Sequence, residues 1–215
     1  SMNFTNQGTL GAVFRFINDA THNTIKYCDI RSQSKSATAG VIVFSTAAPG
    51  GTGNDHNTID HNDIKGSPSP GLEPINGIFS LGTASAGNDS IAITNNNISN
   101  YYSATNSTAG IFVSSNNSGW TITGNKLFQS HGFGAMVYTT ASNHYGIRVT
   151  SGSGYTINNN NVGFGAANAT STTMMIANSV TLAGFPTSYT ASGTPVSITY
   201  KAISADFDPA GTASV

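Results

Sequence analysis

Most of the side chains that can perform acid–base or metal chemistry lie in two short stretches near the amino end of the chain. The first stretch contains Asp29 and Arg31, and the second contains Asp60, His61 and Asp63. Paired carboxylates are the groups that glycoside hydrolysis requires, and carboxylate oxygens are the ligands that calcium prefers. The sequence therefore predicts one candidate catalytic set, Asp60, Asp63, His61 and Arg31, and one candidate metal pair, Asp29 and Asp63.

Both stretches are copies of a motif that returns along the chain. The motif has an apolar anchor, two variable positions, a turn residue, one variable position and a second apolar residue. Successive anchors are 34, 34, 29 and 35 residues apart, a period that indicates a solenoid. The anchors are Ile25, Ile59, Ile93, Ile122 and Ile157. The second apolar residues are Ile30, Ile64, Ile98, Leu127 and Val162.

A second apolar segment, opened by glycine, precedes each anchor. These segments are rich in β-branched and aromatic residues and are bounded by Gly, Asn, Ser and Pro, which favours strands over helices. Coils stacked in register would pair each strand with its counterpart one repeat away. The predicted fold is all-β, a parallel β-solenoid of about five to seven coils. The five segments are residues 11–16, 40–44, 77–81, 110–113 and 146–149.

The turn residues of the motif form a column of their own. Asparagine accepts the left-handed backbone conformation that a sharp bend requires, and its amide can bond to the amides above and below. We therefore predict an internal Asn ladder that is structural, with the single cysteine as its end member. The members of the ladder are Cys28, Asn62, Asn96, Asn125 and Asn160.

Equal offsets from the anchors predict which variable residues become neighbours. Lys26 should lie beside Asp60, and Asp29 beside Asp63, while Arg31 should lie beside Lys65. Two interpretations remain open. Either this patch binds or cleaves a sugar or holds a cation, or it is a solvated face of ion pairs that contribute about 0 to 1 kcal/mol each.

Aromatic residues give a third candidate site. Trp120 and Tyr155 lie two residues before their anchors, and Tyr101 and Tyr102 follow another copy of the motif. Aromatic faces pack on the apolar faces of sugar rings. The sequence therefore predicts that these four residues form a carbohydrate-binding platform.

The composition of the chain argues against two classes of binding partner, nucleic acids and the membrane interior. Only 8% of the residues are charged and the net charge is −1, so the chain lacks the basic footprint of a nucleic-acid-binding protein. No apolar run approaches the length of about 18 residues that would insert directly into a membrane.

We expect residues 1–9 to be a cloning scar and lead-in, 10–182 the repeat domain, and 183–215 a capping strand or the start of a following domain. The whole is expected to be part of a longer polypeptide.

The glycine-led strands followed by the Thr-Ile-x-x-Asn-x-Ile pattern carry a family resemblance. They resemble the right-handed parallel β-helix repeats of the pectin-lyase-like superfamily. Residues 16–25 and 120–125 resemble, more narrowly, β-helix segments of large secreted bacterial surface proteins. The resemblance covers about residues 10–180 and implies a bacterial protein that is secreted or at the cell surface.

The resemblance leaves the activity open, because the same scaffold carries lyases, hydrolases, adhesins and inert spacers. β-Helix polygalacturonases have an adjacent Asp pair, which this chain lacks. Pectate-lyase-like enzymes need a cluster of acidic calcium ligands with a basic residue, which Asp29, Asp63 and Arg31 match in type but not in number. We expect a non-catalytic stalk or adhesin-like module that binds a polysaccharide or surface glycan, with no cofactor unless calcium binds. The alternative is a polysaccharide lyase or glycoside hydrolase acting on a cell-wall or plant-type polysaccharide.

Overall fold

The structure is a computed structural model that describes residues 1–67, 71–130, 136–140, 142–163, 165–167, 174–178, 196–198 and 206–207. Within these ranges the regular elements are all β-strands. The described residues include no helix of the length and apolarity needed to cross a membrane. The all-β prediction is therefore confirmed.

The strands are short, and most of them contain two to five residues. They are numbered in chain order. They are β1 Met2–Asn6, β2 Phe14–Phe16, β3 Thr24–Lys26, β4 Cys28–Ser32, β5 Ile42–Phe44, β6 Thr58–Asp60, β7 Asp63–Lys65, β8 Asn76–Ser80, β9 Asn88–Asp89, β10 Ala92–Thr94, β11 Asn97–Ser99, β12 Thr108–Val113, β13 Asn117–Ser118, β14 Thr121–Thr123, β15 Lys126–Phe128, β16 Met136–Tyr138, β17 His144–Val149, β18 Thr156–Asn158, β19 Asn161–Val162, β20 Met174–Asn178, β21 Val196–Ile198 and β22 Asp206–Phe207.

Three large sheets collect equivalent strands from successive repeats. The first sheet has the order β1-β4-β7-β11-β15-β19, and the second has the order β3-β6-β10-β14-β18. The third has the order β2-β5-β8-β12-β17-β22, and its last pairing is the antiparallel one. All other pairings in these sheets are parallel. Each repeat therefore contributes three strands, where the sequence predicted at least two.

The predicted register of the anchors is confirmed. Ile59 pairs with Ile25 and Ile93, and the same register continues through Ile122 to Ile157. The column of second apolar residues aligns in the same way in the first sheet. The central members of both columns are fully enclosed in one hydrophobic core. Burial of each such aliphatic side chain contributes about 1.5 to 3 kcal/mol.

The turn residues lie inside the molecule, and their side chains bond from one repeat to the next. The Asn62 amide donates to Oδ1 of Asn96 (3.0 Å), and the Asn96 amide donates to Oδ1 of Asn125 (3.1 Å). The Asn125 amide donates in turn to Asn160 (3.0 Å). At the amino end the backbone N–H of Cys28 donates to Oδ1 of Asn62 (2.9 Å). We refer to these five residues as the turn column.

The expectation that the turn-column residues themselves are left-handed is wrong. The residue before each of them has the positive φ instead, with values of 54° to 70°. This residue reverses the chain and points outward, so that the next side chain can turn inward and make the bonds between repeats. The left-handed residues at this corner are Tyr27, His61, Asn95, Gly124 and Asn159.

A second corner, which the sequence reasoning missed, lies at the other end of each anchor strand. The residue three positions before the anchor again has a positive φ, as His56 does at 54°. Five positions before the anchor, the Asn54 amide donates to Oδ1 of Asn88 (2.9 Å). Asn88 donates to Ser80 Oγ, which donates to Asn117 (2.6 Å). The signal was an Asn at a constant offset from three anchors.

The later part of the chain is described only in fragments. β20 pairs in parallel with β16, and β21 pairs antiparallel with β20. Of the predicted terminal segment 183–215, only β21 and β22 lie within the described residues. The predicted boundaries of the repeat domain stay predictions.

We predict that Asn96→Ala lowers the free energy of unfolding by about 2 to 4 kcal/mol, because it removes a buried side chain that serves several groups. Its amide donates to the carbonyl of Ile59 (2.8 Å) and its Oδ1 accepts the backbone N–H of Asn62 (2.9 Å). Asn97→Ala is the matched control. It removes one bond to the half-exposed Asp63 and should cost less than about 1 kcal/mol. Equal effects of the two substitutions in urea denaturation would contradict a structural role for the turn column.

Gly124→Ala should also destabilise the protein, by about 1 to 2 kcal/mol, because Gly124 has a φ of 70°. A Cβ there would lie 2.5 Å from Oδ1 of Asn95 in the neighbouring repeat. Gly50→Ala, at a φ of 80° with open space around it, carries the backbone strain without the clash. The melting temperature of Gly124→Ala should therefore be lower than that of Gly50→Ala. The reverse order would show that the corners of neighbouring repeats are not closely stacked.

Candidate functional site

Asp60 lies on the outer face of the second sheet, as predicted, but its neighbours cover it to 7% exposure. Its carboxylate accepts hydrogen bonds from Lys26 Nζ (2.8 Å), Thr94 Oγ1 (2.7 Å), His61 Nδ1 (2.8 Å) and Asn95 Nδ2 (3.1 Å). Burial alone raises the pKa of Asp60, but the bonds from Lys26, Thr94 and His61 outweigh it and hold the pKa well below its usual range. A carboxylate held in this way has no proton to donate and little freedom to attack.

His61 occupies the left-handed corner next to Asp60 and is exposed. Because Nδ1 is bonded to Asp60, Nε2 is the ring nitrogen that faces away from this ion pair. The ring of Tyr27, from the preceding repeat, lies 5.3 Å from the His61 ring between centroids. His61 thus keeps a ring nitrogen that does not contact Asp60.

A second cluster of charged residues lies on the first sheet and contains Asp29, Asp63, Arg31 and Lys65. Arg31 donates two hydrogen bonds to the carboxylate of Asp29, from Nε and from Nη2, both at 2.9 Å. Lys65 Nζ lies 2.9 Å from a carboxylate oxygen of Asp29 and 3.7 Å from one of Asp63. Burial raises the pKa of Asp29, but Arg31 and Lys65 lower it further than burial raises it. The ammonium of Lys65 occupies the place between the two carboxylates where the predicted calcium ion would bind.

The predicted catalytic set is therefore divided between two sheets. Asp60 belongs to the second sheet and Asp63 to the first, with the corner at His61 and Asn62 between them. The column pairings of Lys26 with Asp60 and of Asp29 with Asp63 are confirmed. Within the described residues there is no group of three or more His, Cys, Asp or Glu side chains arranged to hold a metal ion. The geometry is that of compensated ion pairs.

Two of the four predicted sugar-binding aromatic residues belong to the core. Trp120 is 0% exposed and its Nε1 donates to the carbonyl of Asn88 (2.7 Å), while Tyr101 is 1% exposed. The prediction of a platform that includes these two is wrong, because the corner before the anchor strand turns Trp120 inward. Tyr102 and Tyr155 are partly buried, and the Tyr155 hydroxyl lies 2.8 Å from the carbonyl oxygens of both Asn117 and Ser151, to either of which it can donate.

The outer face of the third sheet carries a set of residues that the sequence reasoning did not select. One outward column runs across β2, β5, β8, β12 and β17 in continuous register. We call it the aromatic–arginine column. Its members are Arg15, Val43, Phe79, Phe112 and Arg148. The sequence signal was weak, because these residues follow the opening glycines of their segments by four, three, two, two and two positions.

The column is apolar in its middle and cationic at both ends. Phe79 and Phe112 meet edge to face at 5.4 Å, and the Arg148 guanidinium lies over the rings of Phe112 (4.5 Å) and Tyr145 (4.9 Å). Neither Arg148 nor Arg15 makes an ion pair within the described part of the chain. At the Arg15 end, a cleft of about 450 Å³ opens beside Val43, Phe79 and neighbouring loop residues. The surface can therefore offer aromatic contact and uncompensated positive charge together.

His144 is the remaining titratable group with an unusual environment. It is fully buried, its ring stacks on Tyr101 at 5.0 Å, and its Nδ1 lies 2.8 Å from Thr108 Oγ1. Desolvation lowers its pKa from 6.5 to about 3. Because its ring has no exposed surface, His144 is a structural residue rather than a site residue.

Comparison with known proteins gives no further guide to the site. No protein-family model matches this chain, and no curated protein and no solved structure matches it either.

Because His144 is buried in its neutral form, we predict that the free energy of unfolding falls in acid. The unfolded chain binds a proton at His144 below pH 6.5, whereas the folded chain does so only near pH 3. Stability from this group is complete above pH 6.5 and is lost as pH falls, by up to about 1.4 kcal/mol per pH unit. The His144→Gln variant should show a shallower fall in unfolding free energy between pH 6 and pH 4.

The exposed His22 supplies the control for that experiment. His22→Gln also removes one imidazole, and the slopes of the two variants between pH 6 and pH 4 are compared with the wild-type slope. If His144→Gln and His22→Gln both retain the wild-type slope, the loss of stability in acid does not come from the buried imidazole.

Proposed function

We propose that this chain is a right-handed parallel β-helix that serves as a non-catalytic module of a secreted or cell-surface bacterial protein. In this proposal it acts as a stalk or adhesin-like segment and binds carbohydrate. The parallel pairing of equivalent strands in three sheets supports the helical path of the chain. The right-handed sense follows the preference of parallel crossover connections.

The state of the carboxylates supports a non-catalytic role. Glycoside hydrolysis needs one carboxyl group that keeps a proton and another that is free to attack or to activate water. Asp60 and Asp29 are each held ionised by a lysine or arginine and by further hydrogen bonds. Two of the three candidate carboxylates are therefore engaged with a lysine of the neighbouring repeat, and the third, Asp63, accepts a hydrogen bond from Asn97 of the next repeat (2.8 Å).

The aromatic–arginine column is the observation that carries the carbohydrate-binding proposal. Aromatic rings pack against the C–H faces of sugars, and guanidinium groups donate to hydroxyl and carboxylate oxygens. Phe112 and Tyr145 are partly exposed beside Arg148, at the end of a row that spans five strands. Val43 and Phe79, in the middle of the row, are only 2% and 3% exposed, so the part of the row that a sugar can contact is its Phe112–Arg148 end.

The proposal predicts that Phe112→Ala and Arg148→Gln each weaken binding to a polysaccharide or surface glycan by about tenfold or more. The loss of one aromatic or guanidinium contact in a site of this kind costs on the order of 1.4 kcal/mol. Binding is measured by glycan array and then by titration calorimetry with the best ligand. Tyr27→Ala is the matched control, since Tyr27 is an exposed aromatic residue at the corner between the second and the first sheet. Retention of full affinity by both column variants would refute the proposed surface.

Enzymatic activity is the alternative function, and the same preparation tests it. The protein is incubated with acidic and neutral polysaccharides, and reducing ends and unsaturated products are measured. We expect no product above the level of a heat-denatured sample. Product that disappears in Asp63→Asn would establish a lyase or hydrolase and overturn the non-catalytic role.

A further inference from the structure

A second concave surface lies at the amino end of the molecule, away from the aromatic–arginine column in the sequence and on a different sheet. It is a cleft of about 510 Å³, within the usual range for small-molecule sites. It opens where the parallel strands β1 and β4 end side by side, and the carboxyl ends of parallel strands are a common place for ligands. Its lining residues are Thr5, Asn6, Gln7, Arg31, Ser32, Gln33, Ser67 and Leu72.

The charge of this cleft is compensated. Arg31 is the one charged residue among those that line it, and Asp29 binds Nε and Nη2 of its guanidinium at 2.9 Å each. The ion pair fixes the plane of the guanidinium and leaves the Nη1 hydrogens outside the two bonds to Asp29. Arg31 can therefore donate hydrogen bonds to a ligand without requiring the ligand to be an anion.

Gln33 provides an acceptor for which the described residues offer no hydrogen-bond partner. Its Nε2 donates to the carbonyl of Gln7, whereas its Oε1 is buried with no hydrogen-bond partner. An unsatisfied buried acceptor costs about 1 to 3 kcal/mol. A hydroxyl group entering the cleft, with a small rotation of the Gln33 amide, would remove this cost.

The rest of the lining is suited to a polyhydroxyl compound. The hydroxyls of Thr5 and Ser67 make no hydrogen bond within the described residues, and each can both donate and accept. Leu72, at 38% exposure, supplies an apolar surface at the same cleft. The cleft thus offers hydroxyls, one planar amide, one fixed guanidinium and an aliphatic contact. Together these groups match the alternating polar and apolar surface of a sugar ring.

We propose that this cleft is a second binding site, and that it takes a neutral sugar residue. The compensated charge of Arg31 disfavours an anion, and the free Gln33 acceptor calls for a donor such as a sugar hydroxyl. This site is independent of the carbohydrate-binding surface proposed for the third sheet, whose unpaired arginines favour a ligand that carries negative charge.

The test uses the full chain and saturation-transfer-difference NMR with methyl glycosides of neutral hexoses, and with a methyl uronoside as the charged comparison. We expect at least one neutral glycoside to bind, and its affinity to fall by about tenfold in Gln33→Met, which keeps the side-chain length but removes the acceptor. Leu72→Ser should weaken binding by a similar factor. Leu10→Ser, at a leucine that is 75% exposed and does not line the cleft, should leave it unchanged.

Several outcomes would overturn the proposal. They are the absence of signal from every neutral glycoside, tighter binding of the uronoside, or affinity that neither Gln33→Met nor Leu72→Ser alters. Arg148→Gln separates the two sites, because it should weaken the third-sheet surface and leave this cleft intact. Thermal melts accompany each variant, and Leu72→Ser keeps the test valid if Gln33→Met fails to fold.

Discussion

The hydrogen bonds of the turn column are the interaction on which the rest of the structure depends. At each corner the chain leaves one sheet and enters another within two residues, and some of its backbone groups then face the buried interior, where the asparagine side chains bond to them. The side chain of Asn62 bonds to the carbonyl of Ile25 and to Asn96, and the side chain of Asn96 repeats this arrangement one repeat later. Because each asparagine serves the repeats on either side of it, the corner also fixes the register of the strands that follow.

That register determines what the surface can do. It places Lys26 against Asp60 and Lys65 against Asp29, so that the concentration of charge in the early repeats joins neighbouring strands. The same register, applied to the third sheet, aligns Phe112 with Arg148, and no carboxylate pairs with that arginine among the residues that the structure describes. One set of charges is thus satisfied by the protein itself, and the other is left available to a ligand.

Much of this arrangement could be predicted from the sequence, because a repeated motif assigns each residue its neighbours. The anchors, the strand pairing and the contact of Lys26 with Asp60 followed from constant offsets. Offsets do not, however, show which way a side chain turns after a left-handed corner. For that reason Trp120 was expected at the surface, although it is buried, and the bonds from Thr94 and Asn95 to Asp60 were not foreseen. The aromatic–arginine column was only weakly visible as a pattern and had no chemical motif to mark it.

Hydrogen exchange followed by NMR tests most directly the claim that the turn column holds the repeats in register. The backbone N–H groups of Asn62, Asn96 and Asn125 lie at corners, and each donates to the side-chain Oδ1 of the next repeat (2.9 to 3.0 Å). They should exchange as slowly as the N–H of Ile93 in the core of the second sheet, with protection close to that of global unfolding. Exchange of these three groups at the rate of exposed loop amides, while Ile93 stays protected, would contradict the account.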